Sequence, residues 1–215
     1  MSFPLHLTEI NLGNQKIFLY VPDADPVQHS WKKGNIPFPY WSQVWPSAVA
    51  LSSFIIDNSH YVKNKKLLEI GSGLGLPSLV AAQYALSVLC TDQQQEAMEI
   101  VETSARHLGL KNLETKVLDW NSYSHDIIVD TILLSDVNYE PASLKALGKA
   151  LHIILKKGST ILLSTPQRLV ARNFIHSFLP FCVSQEERII NHKGEEVPIT
   201  IVVLKEPTAP SKSSF

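Results

Sequence analysis

A short apolar segment runs straight into Glu69-Ile70-Gly71-Ser72-Gly73-Leu74-Gly75, and a helical pattern starts at Leu76. Glycines at a strand-to-helix turn permit a tight bend and let the backbone approach a ligand closely. The turn is not a generic nucleotide loop. A G-x-G-x-x-G dinucleotide fingerprint would need glycine at position 76, which is Leu76. No Gly-Lys-Ser/Thr follows, so a P-loop is excluded. Glu69, just ahead of the first glycine, would repel a pyrophosphate.

The segments around this turn alternate strand and helix. Strand patterns cover residues 67–70, 87–91, 113–118, 131–135 and 160–164. Helical patterns cover 76–84, 93–108, 141–155 and 167–179, and Gly109 and Gly158 follow two of them as stop signals. Earlier, Pro46 suits the first turn of a helix carrying Val49, Ala50, Phe54 and Ile55. Residues 181–190 and 197–204 have strand composition, and the connection through Gly194 is too short for a crossover helix, so they form an antiparallel pair. Residues 5–12 and 16–21 flank Gly13-Asn14 and read as a further hairpin, while the proline-bearing 22–39 stretch reads as loop. The expected fold is α/β and Rossmann-like: a doubly wound, mostly parallel seven-stranded sheet with a C-terminal antiparallel hairpin, preceded by an N-terminal β-hairpin. The expected organisation is an extension over 1–45, one domain over 46–206 and a flexible tail over 207–215.

Composition narrows the function. Nineteen basic and twenty acidic residues give a net charge of −1, which argues against DNA or another nucleic acid held by bulk charge. Cys90 and Cys182 lie far apart, outside any Cys/His cluster, and the eight histidines show no ligand spacing, so no metal site is expected. No apolar run reaches the ~18 residues of a membrane span. The first thirteen residues carry Glu9 and no Lys or Arg, unlike a signal peptide. A cytoplasmic protein is the expectation.

A cationic ligand fits the turn better than a phosphate does. S-adenosylmethionine carries a sulfonium, an ammonium and one carboxylate, so an acidic group beside the glycines attracts it. Asp92 ends the next strand, 21 residues after Gly71, where a carboxylate bonds ribose hydroxyls. Asp92 with Gln95 also reads as a capping pair for the following helix, and one residue can do both.

The stretch from Leu67 to Leu76 resembles the first motif of class I S-adenosylmethionine-dependent methyltransferases. Four further features are similar to the seven-strand protein-lysine methyltransferase-like group: Val44-Trp45-Pro46, Thr91-Asp92, Leu118-Asp119-Trp120-Asn121, and Ser135-Asp136-Val137-Asn138-Tyr139, which contains an Asp-x-x-Tyr motif. That group's third motif ordinarily ends Trp-Gly; Asn121 departs from it. The resemblance implies S-adenosyl-L-methionine as cofactor, with Trp45, Glu69, Gly71, Gly73, Gly75, Asp92, Asp119, Trp120 and Ser135 around it. It implies Asp136 and Tyr139 at the reacting end, and a lysine side chain of a protein as acceptor. A small molecule or an RNA base is the alternative acceptor. A cofactor-binding module without catalysis is the alternative class.

Overall fold

The computed structural model describes residues 3–119, 128–137, 141–166 and 176–207. Strands β1 (Leu5–Leu12) and β2 (Gln15–Pro22) pair antiparallel about the Gly13 turn and form a separate two-stranded sheet. Their inner face, with Leu12, Ile17 and Leu19, is buried in the same core as the helix over Gln95–His107. The backbone N–H of Tyr20 donates to Ser104 Oγ of that helix at 2.9 Å.

The next segment departs from expectation. Residues 24–32, read as loop, form helix α1 (Ala24–Lys32). Pro26 falls in the first turn, where its missing N–H costs nothing, and Gly34 with φ +74° follows the helix end. Asp23 precedes the helix, but its carboxylate is paired with His6 Nδ1 at 2.8 Å rather than capping it.

Helix α2 (Pro46–Asp57) leads to the main sheet. Strands β3 (Lys66–Ile70), β4 (Ser87–Asp92), β5 (Leu113–Val117), β6 (Thr131–Ser135) and β7 (Thr160–Pro166) are parallel. Helix α3 (Leu76–Ala81) follows β3, α4 (Gln95–His107) follows β4, and α5 (Pro141–Lys156) follows β6. Strands β8 (Cys182–His192) and β9 (Glu195–Leu204) form the expected antiparallel pair. The sheet order is β5-β4-β3-β6-β7-β9-β8. The expected helix over 167–179 falls mostly outside the described residues.

Side-chain alternation divides the core. Leu67, Leu133, Leu162, Ile199, Ile201 and Val203 pack on one face with α2, α3 and α4. Their neighbours Leu68, Ile70, Ile132, Leu134, Ile161, Leu163, Val202 and Leu204 pack on the other with α5. Both faces are covered, which is why the central strands read as continuous apolar runs rather than alternating ones.

Two features of the topology place the site. The chain leaves β3 toward β4 and β5, then returns to β6 on β3's other side. That reversal opens a crevice at the carboxyl ends of β3, β4 and β6. The β8–β9 ribbon also outruns the sheet. Pro166, the last residue of β7, pairs with Ile199, and β8–β9 pairing continues from Ile189↔Pro198 to His192↔Glu195. The ribbon thus stands about 14 Å beyond the carboxyl edge, at ~3.4 Å per residue. It turns at Lys193-Gly194, both with positive φ.

Candidate functional site

A cleft occupies the crevice. Its walls are the 71–76 turn, Asp92 to Gln94 after β4, Ser135 to Val137 after β6, and a segment from Phe38 to Ala48.

The glycine turn is held from two sides. Within it, the Gly75 N–H donates to the Ser72 carbonyl at 2.9 Å, and Gly71, Gly73 and Gly75 all have positive φ. From β4, Asp92 Oδ2 accepts the Gly73 N–H at 2.9 Å, and the Ser72 N–H donates to the Thr91 carbonyl at 3.0 Å. A Cβ at Gly75 would lie 2.9 Å from Val101 Cγ2 and 3.1 Å from Cys90 Sγ, so packing forbids a side chain. At Gly73 a Cβ would lie 3.4 Å from the Trp41 carbonyl oxygen. The turn is therefore pressed between α4 and the 38–48 segment.

Asp92 does two jobs in the backbone. Its Oδ1 accepts the Gln94 N–H at 3.0 Å, turning the chain into α4, which starts at Gln95 rather than 93. Burial raises its pKa, and the backbone N–H groups of Gly73 and Gln94 oppose that rise. The carboxylate is 8% exposed and borders the cleft.

Glu69 lies beneath the cleft rather than on its wall. It shares the face of Leu67, toward α3, and its Oε2 accepts the Ser78 N–H in the first turn of that helix at 2.9 Å. Oε1 has no hydrogen-bond partner among the described residues. Complete burial raises its pKa to about 8, outweighing the Ser78 hydrogen bonds. Burial thus favours the neutral form of Glu69, and the carboxyl groups that border the cleft are those of Asp92 and Asp136.

Asp136 follows β6 with φ +55°, a left-handed conformation that Asp tolerates better than most residues. Its N–H donates to the Ser164 carbonyl at 2.9 Å, continuing the ladder with β7 one step past the strand. It borders the cleft with Ser135. Ser164 in turn donates its hydroxyl to the Ser47 carbonyl at 2.9 Å, fixing the start of α2 against β7.

Trp45 precedes α2, borders the cleft, and donates its indole N–H to the Tyr40 carbonyl at 2.7 Å. Asp119 is exposed and off the cleft wall, just beyond the Leu118 N–H that donates to the Asp92 carbonyl at 2.8 Å. Trp120 and Tyr139 lie outside the described residues. The structure thus gathers Trp45, Gly71, Gly73, Gly75, Asp92, Ser135 and Asp136 around one cleft. It adds Phe38, Tyr40, Trp41, Gln43, Gln93 and Gln94, which the sequence reading passed over. Five aromatic or proline residues in a row, Pro37-Phe38-Pro39-Tyr40-Trp41, are a signal for the first three. Among the described residues that line the cleft there are two carboxylates and no Lys, Arg or His.

The fold has many solved counterparts. The N-methyltransferase NodS from Bradyrhizobium japonicum WM9, in complex with S-adenosyl-L-homocysteine, superposes with a TM-score of 0.60 at 14% identity, over 83% of this chain and 98% of that one. A Pyrococcus abyssi tRNA (uracil-54, C5)-methyltransferase superposes with a TM-score of 0.62 at 14% identity, over 92% of this chain and 44% of that one. Among sequences, the histone-arginine methyltransferase METTL23 of Homo sapiens is 29% identical over 124 residues, 55% of this chain and 65% of its own. The electron transfer flavoprotein beta subunit lysine methyltransferase of Rattus norvegicus is 28% identical over 150 residues, 64% of this chain and 56% of its own. The protein-lysine methyltransferase METTL21E of Bos taurus is 33% identical over 151 residues, 65% of this chain and 52% of its own. The chain spans between half and two thirds of the length of these relatives. The family model for lysine methyltransferases matches residues 40–180, a stretch that starts at Tyr40 and contains the glycine turn, Asp92 and Asp136. With that match over well more than half its length, this chain belongs to the lysine methyltransferase family.

Proposed function

We propose that this chain is a cytoplasmic S-adenosyl-L-methionine-dependent methyltransferase that N-methylates a lysine side chain of a protein. The observation that carries the reading is the cleft wall: a backbone-lined glycine turn beside two carboxyl groups, with no cationic side chain among the described residues that line it. A pyrophosphate would meet the carboxyl groups of Asp92 and Asp136. A ligand bearing a sulfonium and an ammonium meets complementary charge. Gly71, Gly73 and Gly75 all hold positive φ, so the turn presents backbone to the cleft and suits a ligand lying against it.

Asp92, Trp45, Ser135 and Asp136 take their proposed roles from the cleft wall, and Asp119, Trp120 and Tyr139 take theirs from the motifs of the family resemblance. Asp92 holds ribose hydroxyls from the end of β4. Asp119 and Trp120 supply the adenine contacts, Trp45 and Ser135 flank the methionine portion, and Glu69 fixes α3 under the turn. When bound, the cofactor supplies an activated methyl carbon whose bond to sulfur breaks to leave a neutral thioether. The residues then have an orienting task. The acceptor amine must first lose a proton, against a free pKa of about 10.4. A water-poor cleft beside a sulfonium disfavours the ammonium form. Asp136 aligns the amine, Tyr139 walls its channel, and no dedicated general base is assigned.

Arginine is the second reading, favoured by the identity to proteins named histone-arginine methyltransferases. Labelled methyl transfer into a fractionated lysate, followed by mapping of the labelled residue, decides between them. Methyl-lysine supports the proposal. Label confined to arginine, RNA or small molecules overturns it. Titration calorimetry with S-adenosylhomocysteine and with NADH tests the cofactor separately.

A further inference from the structure

The rim of the cleft carries a row of aromatic rings that the cofactor reading does not use. Trp31, at the end of α1, packs edge-on against Phe38 at 5.0 Å between ring centroids. Phe38 packs against Tyr40 at 4.5 Å. All three are substantially exposed: 38%, 46% and 44%. Phe38 and Tyr40 belong to the cleft wall that includes Asp136; Trp31 lies outside it. The row thus begins inside the cleft and continues onto the surface.

This row is built rather than incidental. The Tyr40 carbonyl accepts the Trp45 indole N–H at 2.7 Å, and the Ser42 hydroxyl donates to the Pro39 carbonyl at 2.9 Å. The next residue, Trp41, is buried and packs against Phe3 at 6.0 Å. These bonds hold the rings in place before anything binds, which lowers the entropic cost of a contact. The tip of the β8–β9 ribbon meets the same segment: Lys193 Nζ lies 3.5 Å from Gln43 Oε1.

We infer that Trp31, Phe38 and Tyr40 form the docking strip for the acceptor polypeptide, holding the residues that flank the target lysine while its side chain enters toward Asp136. This rests on the methyltransferase reading above. Two observations select this occupant. The strip is continuous with the cleft, so whatever lies on it leads to Asp136. Among the described residues that line the cleft the charged groups are carboxyls, those of Asp92 and Asp136, which suit an alkylammonium side chain; aromatic faces also attract such cations and pack on their aliphatic stems. Exposed rings can instead stack nucleic-acid bases, and Lys32 and Lys33 follow Trp31. A phosphodiester chain led by that strip into the cleft would run toward Asp136 and Asp92, so the polypeptide is favoured.

The test uses the full chain, labelled S-adenosylmethionine, a degenerate nonapeptide library with a central lysine, and total cellular RNA as the competing acceptor. Wild type should label a subset of the library, with a preference at the positions flanking lysine. Trp31→Ala and Phe38→Ala should each lower transfer into that subset at least tenfold, chiefly through KM, and flatten the flanking preference. Phe38→Tyr should restore it. Trp31→Ala should bind S-adenosylhomocysteine within twofold of wild type, because Trp31 stands off the cleft wall. Unchanged peptide selection in both alanine variants overturns the strip. So does transfer into RNA alone, or no transfer into any peptide by a chain that binds S-adenosylhomocysteine. Failure to bind S-adenosylhomocysteine at all would strike the cofactor reading instead.

Discussion

Asp92 Oδ2 and the backbone N–H of Gly73 meet at 2.9 Å, so the carboxylate at the end of β4 holds the middle of the glycine turn after β3. The same side chain accepts the Gln94 N–H at 3.0 Å. A group assigned to ribose hydroxyls is therefore also part of the frame that shapes the cofactor's cradle. Asp92→Ala should lower stability by about 1–3 kcal/mol, the cost of leaving buried donors unmatched. It should weaken S-adenosylhomocysteine binding by roughly tenfold to a hundredfold. Turnover at saturating cofactor should fall less. Urea denaturation and calorimetry on one preparation measure the first two effects together. A variant with wild-type stability and wild-type affinity would remove Asp92 from both roles.

The buried Glu69 carboxyl gives a pH signature. Its pKa in the folded chain is about 8, against 4.5 as the ordinary value. Between those values the folded chain keeps a proton that the unfolded chain releases. The Glu69 contribution to the stability of the ligand-free protein should thus be fully present below pH 4.5, fall by a few kcal/mol as pH rises to 8, and level off above. Asp92 is raised too and adds to the fall in the same direction. Glu69→Gln keeps an acceptor for the Ser78 N–H and cannot ionise. It should remove at least half of the decline between pH 5.5 and pH 8, read from urea midpoints. A wild-type midpoint that rises over this range would contradict the buried, protonated state.

The glycines of the turn should fail differently. Gly75→Ala pushes a Cβ to within 2.9 Å of Val101 and imposes a left-handed alanine, so it should cost about 2–3 kcal/mol and lower Tm. Gly73→Asp meets only ordinary contact at 3.4 Å from Trp41, and Asp tolerates positive φ. It should remain folded by circular dichroism and lose cofactor binding, because the new carboxylate fills ligand space beside Asp92. Retained binding in folded Gly73→Asp would place the cofactor elsewhere.

Asp136 separates conformation from charge. Asn suits its left-handed backbone nearly as well as Asp, while Ala does not. Asp136→Asn should keep the Tm of wild type and bind S-adenosylhomocysteine within a few-fold. Transfer to the acceptor should drop at least tenfold. Asp136→Ala should add a loss of about 1 kcal/mol in stability. If Asp136→Asn lost cofactor affinity and kept turnover at saturating cofactor, the residue would belong to the other half of the site.

The sheet was legible because strand and helix patterns alternate along the chain, with β3 set between Lys65 and Gly71 and β7 following Gly158, and because 191–196 is too short for a crossover. Helix α1 was not legible: Pro22, Pro26 and a polar composition argue for loop, and only the burial of Val27 and Ser30 against the rest of the chain makes the helix worthwhile. The glycines and Asp92 were legible because their spacing is local to one strand–turn–helix unit and the next strand. The facing wall was not. Trp41 reaches Gly73 across more than thirty residues of sequence, and nothing in the 38–45 stretch names that contact. Glu69 shows the same limit. Alternation puts it on the face of Leu67, but sequence does not say that α3 closes over that face and buries its carboxyl.

The overhanging β8–β9 ribbon makes the distance between its tip and Gln43 a matter of strand length. Adding or removing two residues in each strand would move the tip by about 7 Å and leave every inward side chain inward. A change of one residue per strand would move the tip by about 3.4 Å and turn the side chains of the overhang to the opposite faces of the ribbon, while Ile199 and Ile201 stay held by β7. Reach toward Gln43 that keeps the overhang's side chains on their present faces is therefore adjustable only in even steps, each about the span of one dipeptide.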